Sequence, residues 1–478
     1  MNKKMAKNKL STYILILIFI ISFLIRLIPL YKGYNVPFGF VDTSSHIASA
    51  LDLSEGDFKS VLHPWWHLKN HFLINGYDVV DRASVSFFYA PFIHIVLALG
   101  FLLLNPGIAS IIIISALYSL SVVAIFLLCK SFKFKDTAAL VSALVIAVSV
   151  PLTYSQNFGF WTFLIAFNFL ILSYSFLRLK SRKSNLIAIF FCFLSFLTHW
   201  AFFPLFVLIG LVEMLINKNN HAKLYILCAV LMALPVFAYN YSANKFSYVA
   251  THFNGLIFPS GILIVLAAIG LLTSFKKYKE VAIFTAFTLT ASIAYYLIGI
   301  KFIFGDMVQF SYPFFTAFYA GSLFQDIDKQ SINKNINRYT NKKIQKGVKI
   351  AFAILVLFAV LSDFFAFQNV FGSAKPSITN KDFNGLLKLR KEFVPDEKSV
   401  IAIDKEVGWW LTIASKDSKI VYPGAYDAED MQQYYKNYIS KRVDAQEGYV
   451  FYKITRRNST LVLEKNVTMG KEYMIGKI

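Results

Sequence analysis

Charge is scarce in this sequence: Asp, Glu, Lys and Arg together make up 16% of its 478 residues, against about 25% in soluble domains. A chain this poor in charge cannot clothe a water-facing surface of its size. Cysteine is nearly absent as well. Cys129, Cys192 and Cys228 lie in or at the edge of apolar stretches, and their spacing supports neither a disulfide framework nor a CxxC metal site. No small-residue cleavage site follows the first apolar run, Tyr13–Leu30, so that run reads as a retained signal-anchor helix, not a removed leader. No internal repeat, collagen-like tract or Gln/Asn-rich tract is visible, so the paired repeats that many transporters show are missing.

What is present is apolar. Hydrophobic residues make up 56% of the chain and aromatics 17%, and the mean hydropathy is +0.54. Lipid is the solvent such a composition fits. The net charge of +21 could suggest a nucleic-acid binder, but the basic residues fall in short runs between apolar segments: Asn2–Lys9, Lys130–Lys135, Arg178–Lys183, Lys218–Lys223, Phe275–Lys279 and Lys329–Lys349. Runs of that kind mark cytoplasmic loops of a multi-pass protein. They do not make the folded basic face that nucleic acid requires.

The apolar runs lie near 12–30, 85–104, 108–129, 137–153, 160–177, 185–199, 201–216, 223–239, 256–274, 280–300, 308–325 and 349–367. If all of them crossed, Lys130–Lys135 and the later basic runs would be placed outside, against the charge rule. Reading 85–104 as an embedded or surface helix removes the conflict and leaves about eleven crossings. The N-terminus is then cytoplasmic, in the cell membrane, and the first external loop is 31–107. The sequons at Asn240, Asn458 and Asn466 all fall outside in this topology. From 370 to 478 the apolar runs shorten to strand length and turn signals such as Pro395-Asp396 and Pro423-Gly424 enter, predicting a small external α/β domain after a transmembrane domain of 1–369. The stretch Ser331–Lys349 reads as a solvated linker or surface helix.

Chemistry-bearing residues gather in the first external loop: Asp42, Asp52, Glu55, Asp57, Asp78 and Asp81, with His46, His63, His67 and His71. Carboxylates and imidazoles just beyond a helix end, at the lipid–water boundary, suit general-base chemistry on a polar acceptor beside a lipid-borne donor. The plainer reading is that external loops are simply polar. Asp42 is followed by Thr43-Ser44-Ser45 and then His46 at i+4, so a helix beginning here sets the two one turn apart. A simple N-cap is the competing role for Asp42. His63, His67 and His71 recur every four residues after Pro64. They could offer imidazoles to a divalent metal, but no carboxylate completes the spacing, and Trp65 and Trp66 fit a helix lying flat in the interface. Glu213 and Asp363 are acids in or near apolar segments, each close enough to a span end to reach water.

The order of parts resembles the GT-C superfamily of integral membrane glycosyltransferases. The likeness rests on a short tail, one span, and an external loop running Val41-Asp42-Thr43-Ser44-Ser45-His46, Trp65-Trp66, Asn75-Gly76 and Phe87-Phe88-Tyr89-Ala90-Pro91. Pro151-Leu152-Thr153-Tyr154-Ser155-Gln156-Asn157 occupies the place where oligosaccharyltransferases carry an acidic, metal-binding second-loop motif. Gln156 and Asn157 stand where acids would be, which does not support a divalent metal. Gly408-Trp409-Trp410-Leu411 is faintly similar to the end of a WWDYG-type signature, without its WWD element.

The resemblance implies a sugar donor linked to polyprenyl phosphate, used on the external face at a membrane-lipid boundary, with Asp42 as general base and His46 beside it. It implies a cationic or polar group for the leaving phosphate, for which Lys301, His199 and Arg82 are the external candidates. Lys245, His252 and Asp306 are further polar groups on that side. Trp409, Trp410 and Tyr426 would contact the acceptor, the competing role for such aromatics being core packing. A transporter or flippase for lipid-linked sugars, and a non-catalytic envelope assembly protein, are the readings from other classes.

Overall fold

The computed structural model describes residues 3–39, 41–56, 91–199, 202–242, 261–298 and 307–330, scattered positions from 350 to 379, helix 380–392, residues 410 and 413, and strands within 399–465. By its internal contacts the chain divides into two compact units: residues 1–28 with 114–374, and residues 29–113 with 375–478.

The first unit is helical. It holds α1 (Lys3–Arg26), most of α5 (Pro106–Ser131), α6 (Asp136–Ala147), α7 (Val150–Phe158), α8 (Trp161–Leu177), α9 (Arg182–Thr198), α10 (Phe203–Leu215), α11 (Ala222–Ser242), α12 (Gly261–Ser274), α13 (Lys279–Ile298) and α14 (Met307–Gln330). Among the described residues, Lys9–Arg26 and Pro106–Ser131 are each long and apolar enough to cross a membrane. α6 and α7, bent by 45° at their junction, pass the same test as one broken span. Other apolar helices, such as Trp161–Leu177 and Phe203–Leu215, are shorter.

Exposure confirms the solvent. On α11, Leu224, Leu227, Leu231 and Leu234 recur at helical spacing, each about half exposed. On α1, Leu10, Tyr13, Leu17 and Leu24 form a similar outward stripe. A soluble helix turns such a stripe inward. Contiguous outward ones call for lipid.

Inside the unit, α8 is mostly apolar and buried along nearly its full length. α9 packs against it, with hydroxyl bonds from Ser195 to Ala166 O (2.8 Å) and from Ser173 to Ala188 O (2.7 Å). Small polar side chains of this kind tie helices together where lipid removes the hydrophobic drive. α1 and α6 are tied at two levels: Ser11 Oγ donates to Asp136 Oδ2 at 2.9 Å, and Arg26 Nη1 donates to Ala147 O at 2.9 Å.

Glu213 does not reach water as its place in the sequence suggested. It is fully buried on α10, and Arg178 Nη1 pairs with its Oε1 at 2.7 Å and with Glu280 at 3.4 Å. The guanidinium lies 3.6 Å from the Phe132 ring centroid. A buried charge needs a partner, and Arg178 supplies it. Asp363 lies outside the described residues.

The second unit holds α2 (Ile28–Tyr31, of which Pro29 onward belongs here), α3 (Val41–Ser54), α4 (Phe92–Phe101), α15 (Asn380–Glu392) and a sheet of β1 (Ser399–Ile403), β2 (Lys419–Val421), β3 (Val450–Arg457) and β4 (Thr460–Lys465). Strand order is β2-β1-β3-β4. β1 runs parallel to both neighbours, with Val400 opposite Lys419 and Phe451, and β3 and β4 form an antiparallel pair closing at Arg457 and Thr460. α4 is the helix within the described part, 91–104, of the apolar run 85–104. Its ten residues reach about 15 Å, half of a bilayer core of about 30 Å.

Candidate active site

α3 begins at Val41, so Asp42 is its second residue and not the residue before it. The chain enters this helix through Gly39, whose φ is +145°. A Cβ on that glycine would lie 1.9 Å from Thr43 Oγ1, so the entry is open only to a residue without a side chain. The first turn of a helix favours negative charge through its unpaired N–H groups. By its backbone position Asp42 belongs to that first turn.

One turn further on, His46 is buried, and its Nδ1 lies 3.0 Å from Nε2 of His94 on α4. Both rings are 2% exposed. Burial pushes His46 down to about 3, so its ring is neutral at pH 7. A neutral ring donates from one nitrogen only, so the tautomers of the two imidazoles are coupled through this contact.

The far end of α3 is anchored by a cation. Arg390 of α15 donates through Nη2 to Asp52 Oδ1 (2.5 Å) and to Glu55 Oε2 (3.0 Å), through Nε to Glu55 Oε1 (2.7 Å), and through Nη1 to Ile413 O (3.0 Å). Burial of the guanidinium lowers its proton affinity, but Asp52 and Glu55 outweigh that and hold it raised. Asn380, at the start of α15, bonds the backbone at Asn35 (2.8 Å) and at Gly33 (2.9 Å). Two stretches more than 330 residues apart in sequence are thus joined around the helix that carries Asp42 and His46.

His199 caps the end of α9 in the first unit, its backbone N–H donating to Ser195 O at 2.7 Å. Its ring lies on Phe163, centroids 3.9 Å apart, and edge-on to Phe202 at 6.0 Å. Trp410 is buried edge-on against Phe383 of α15, centroids 5.9 Å apart. Arg82, Lys301, Trp409, Tyr426, His63, His67 and His71 lie outside the described residues, as do Lys245, His252 and Asp306. Among the described residues no three His, Cys, Asp or Glu side chains gather as a metal site would need.

Three residues were not singled out from sequence. His94 sits in an apolar run as a lone imidazole. Arg390 lies within Lys388-Leu389-Arg390-Lys391, where nothing marks one cation among its neighbours. Arg26 could have been found, since an ionisable residue inside an apolar span is itself a signal.

Comparisons with known proteins stand beside this geometry. No family model matches the chain, and no curated protein matches it. Among solved structures it is similar to the crystal structure of ArnT from Cupriavidus metallidurans in the apo state, with a TM-score of 0.49 and 13% sequence identity over 96% of this chain and 94% of that one.

Proposed function

We propose that this protein is a GT-C-type membrane glycosyltransferase, which moves a sugar from a polyprenyl-phosphate donor to an envelope glycan, lipid or protein on the external face. The observation that carries the reading is the helix α3, which sets Asp42 in its first turn and a buried His46 one turn later. The motif order of the first loop and the outward apolar stripes support the same reading.

In this mechanism an acceptor hydroxyl attacks the anomeric carbon of the donor sugar. Asp42 takes the hydroxyl proton as the new C–O bond forms. The bond from that carbon to the phosphate oxygen breaks, and polyprenyl phosphate leaves with the electron pair. His46, paired with His94, fixes the packing of α3 against α4 one turn after the base. Lys301, His199 and Arg82 are the proposed partners of the leaving phosphate, whose developing charge needs fixed donors. Trp409 and Tyr426 are the proposed acceptor contacts; Trp410, buried against Phe383, does not reach an acceptor itself and would act by fixing its neighbour's position.

The proposed topology has a cytoplasmic N-terminus, about eleven crossings and an external C-terminal domain. The test compares glycolipids and glycoproteins by mass spectrometry in cells with the protein present and deleted. A sugar increment lost on deletion supports the reading, and identical glycans in both strains contradict it.

One observation favours a transporter for lipid-linked sugars instead: the 45° break between α6 and α7, since broken helices line substrate paths in transporters. Translocation of a labelled lipid-linked sugar by proteoliposomes, with no transfer to any acceptor, would decide for that alternative.

A further inference from the structure

Arg26 ends α1 with its side chain turned inward, only 1% exposed. Its Nη1 donates to Ser22 O and Ala147 O, each at 2.9 Å, and to Ser22 Oγ. Nε and Nη2 are buried and make no hydrogen bond. Among the described residues no carboxylate pairs with it, so this cation is enclosed without a counter-charge. Arg178 in the same unit and Arg390 in the other each hold two acids. That difference demands a reason, because a buried guanidinium carries its charge at neutral pH and is retained only with a partner.

The surroundings are those of an anion site. Arg26 touches the break in the α6–α7 span at Ala147, the last residue of α6. α7 starts three residues later, and its N-terminus sets the positive end of a helix dipole after that break. On α7, the Gln156 side-chain amide nitrogen donates to the Arg26 carbonyl at 3.5 Å and to Ser115 Oγ at 3.0 Å, which holds α7 against the end of α1. The side-chain amide nitrogen of Asn157, next in sequence, is a donor that is buried and makes no hydrogen bond.

Depth identifies the class of anion. Lys9 to Arg26 is an apolar span of 18 residues, a length of about 27 Å against a hydrocarbon core of about 30 Å. With Lys9 at one boundary, Arg26 lies just inside the other, within side-chain reach of the phosphate level. An arginine serving ordinary headgroups would snorkel outward. This one faces in.

We propose that Arg26, at the break between α6 and α7, binds the phosphate of a phosphorylated lipid. This rests on the proposed lipid-linked donor and adds the residue that holds its phosphate. The free Nε–H and Nη2–H present the fork that matches two phosphate oxygens. α1 is tied to α6 on one side and exposes Ile20 and Leu24 to lipid on the other, so a lipid reaches the guanidinium from the membrane when the last turn of α1 parts from α6.

The test uses the full-length protein in phosphatidylcholine nanodiscs and follows its thermal unfolding with farnesyl phosphate, farnesol or inorganic phosphate. Farnesyl phosphate should raise the midpoint and farnesol should not, because stabilisation follows binding to the folded state. Protection by inorganic phosphate at the same concentration would assign the site to a free anion; protection by farnesyl phosphate alone assigns it to a lipid. Arg26→Gln should weaken the phosphate ligand about tenfold or more. If that variant does not fold, Gln156→Glu decides, since a carboxylate beside Arg26 should displace the phosphate while conserving side-chain shape. Wild-type affinity in the folded variant, or no protection of wild type by any phosphate, overturns the proposal. Binding is read without sugar transfer, so an Asp42→Asn variant that binds as wild type separates failure of the enzyme reading from failure of this one.

Discussion

His46 and His94 meet across 3.0 Å with both rings enclosed. Because burial holds His46 down at about 3 while an unfolded histidine titrates near 6.5, folding competes with protonation in acid. The unfolded chain takes up the proton first as pH falls. Stability from this site is therefore complete above about pH 6.5 and lost progressively toward about pH 3. Thermal unfolding at a series of pH values should show that decline in wild type and a shallower one in His46→Leu. An unchanged profile in the variant would remove His46 as its source.

Arg390 offers the sharpest stability prediction. Arg390→Ala leaves Asp52 buried without its cation, and removing one partner of such a pair costs about 3–5 kcal/mol. Arg390→Lys keeps the charge but loses the fork that spans both acids, so it should fall between. Glu55 is the more exposed partner, and Glu55→Gln should cost less than Asp52→Asn. Unfolding midpoints of the four purified variants check this order.

The entry to α3 predicts a glycine requirement. Gly39→Ala places a methyl where Thr43 Oγ1 now lies, at a φ that L side chains rarely adopt, and such strain costs about 1–3 kcal/mol. The variant should unfold earlier than wild type, and Gly33→Ala should be milder. Gly33 also has positive φ, but nothing lies within 4 Å of its added carbon.

On the other unit, Arg178 neutralises Glu213. Arg178→Leu should destabilise strongly, and adding Glu213→Leu should restore part of the loss, because a matched apolar pair replaces a buried ion pair at little cost. A double-mutant cycle on unfolding midpoints measures that coupling. Purely additive losses would mean the two side chains do not interact.

Much of this was legible in the sequence because lipid leaves long apolar runs and confines cations to the segments between them. The placement of Asp42 and His46 one turn apart needed only the helical period. Partners distant in sequence were not legible. Nothing in a single chain says that Arg390 faces Asp52, or that His94 inside an apolar run faces His46. Glu213 looked water-accessible because it lies near a span end, yet Arg178 from a neighbouring helix takes up its charge instead. Arg26 was hidden by the hydrophobicity around it, although that setting is what makes a cation costly and worth explaining.

The role of Asp42 is tested most directly by replacing it with Asn, which keeps the shape and removes the base. Cells should carry wild-type or Asp42→Asn protein at equal membrane levels, beside a deletion, with glycolipids and glycoproteins compared by mass spectrometry. The sugar increment seen in wild type should fall about 100-fold or more in Asp42→Asn, to a level indistinguishable from the deletion. An increment at wild-type level in the Asp42→Asn cells would contradict Asp42 as the general base.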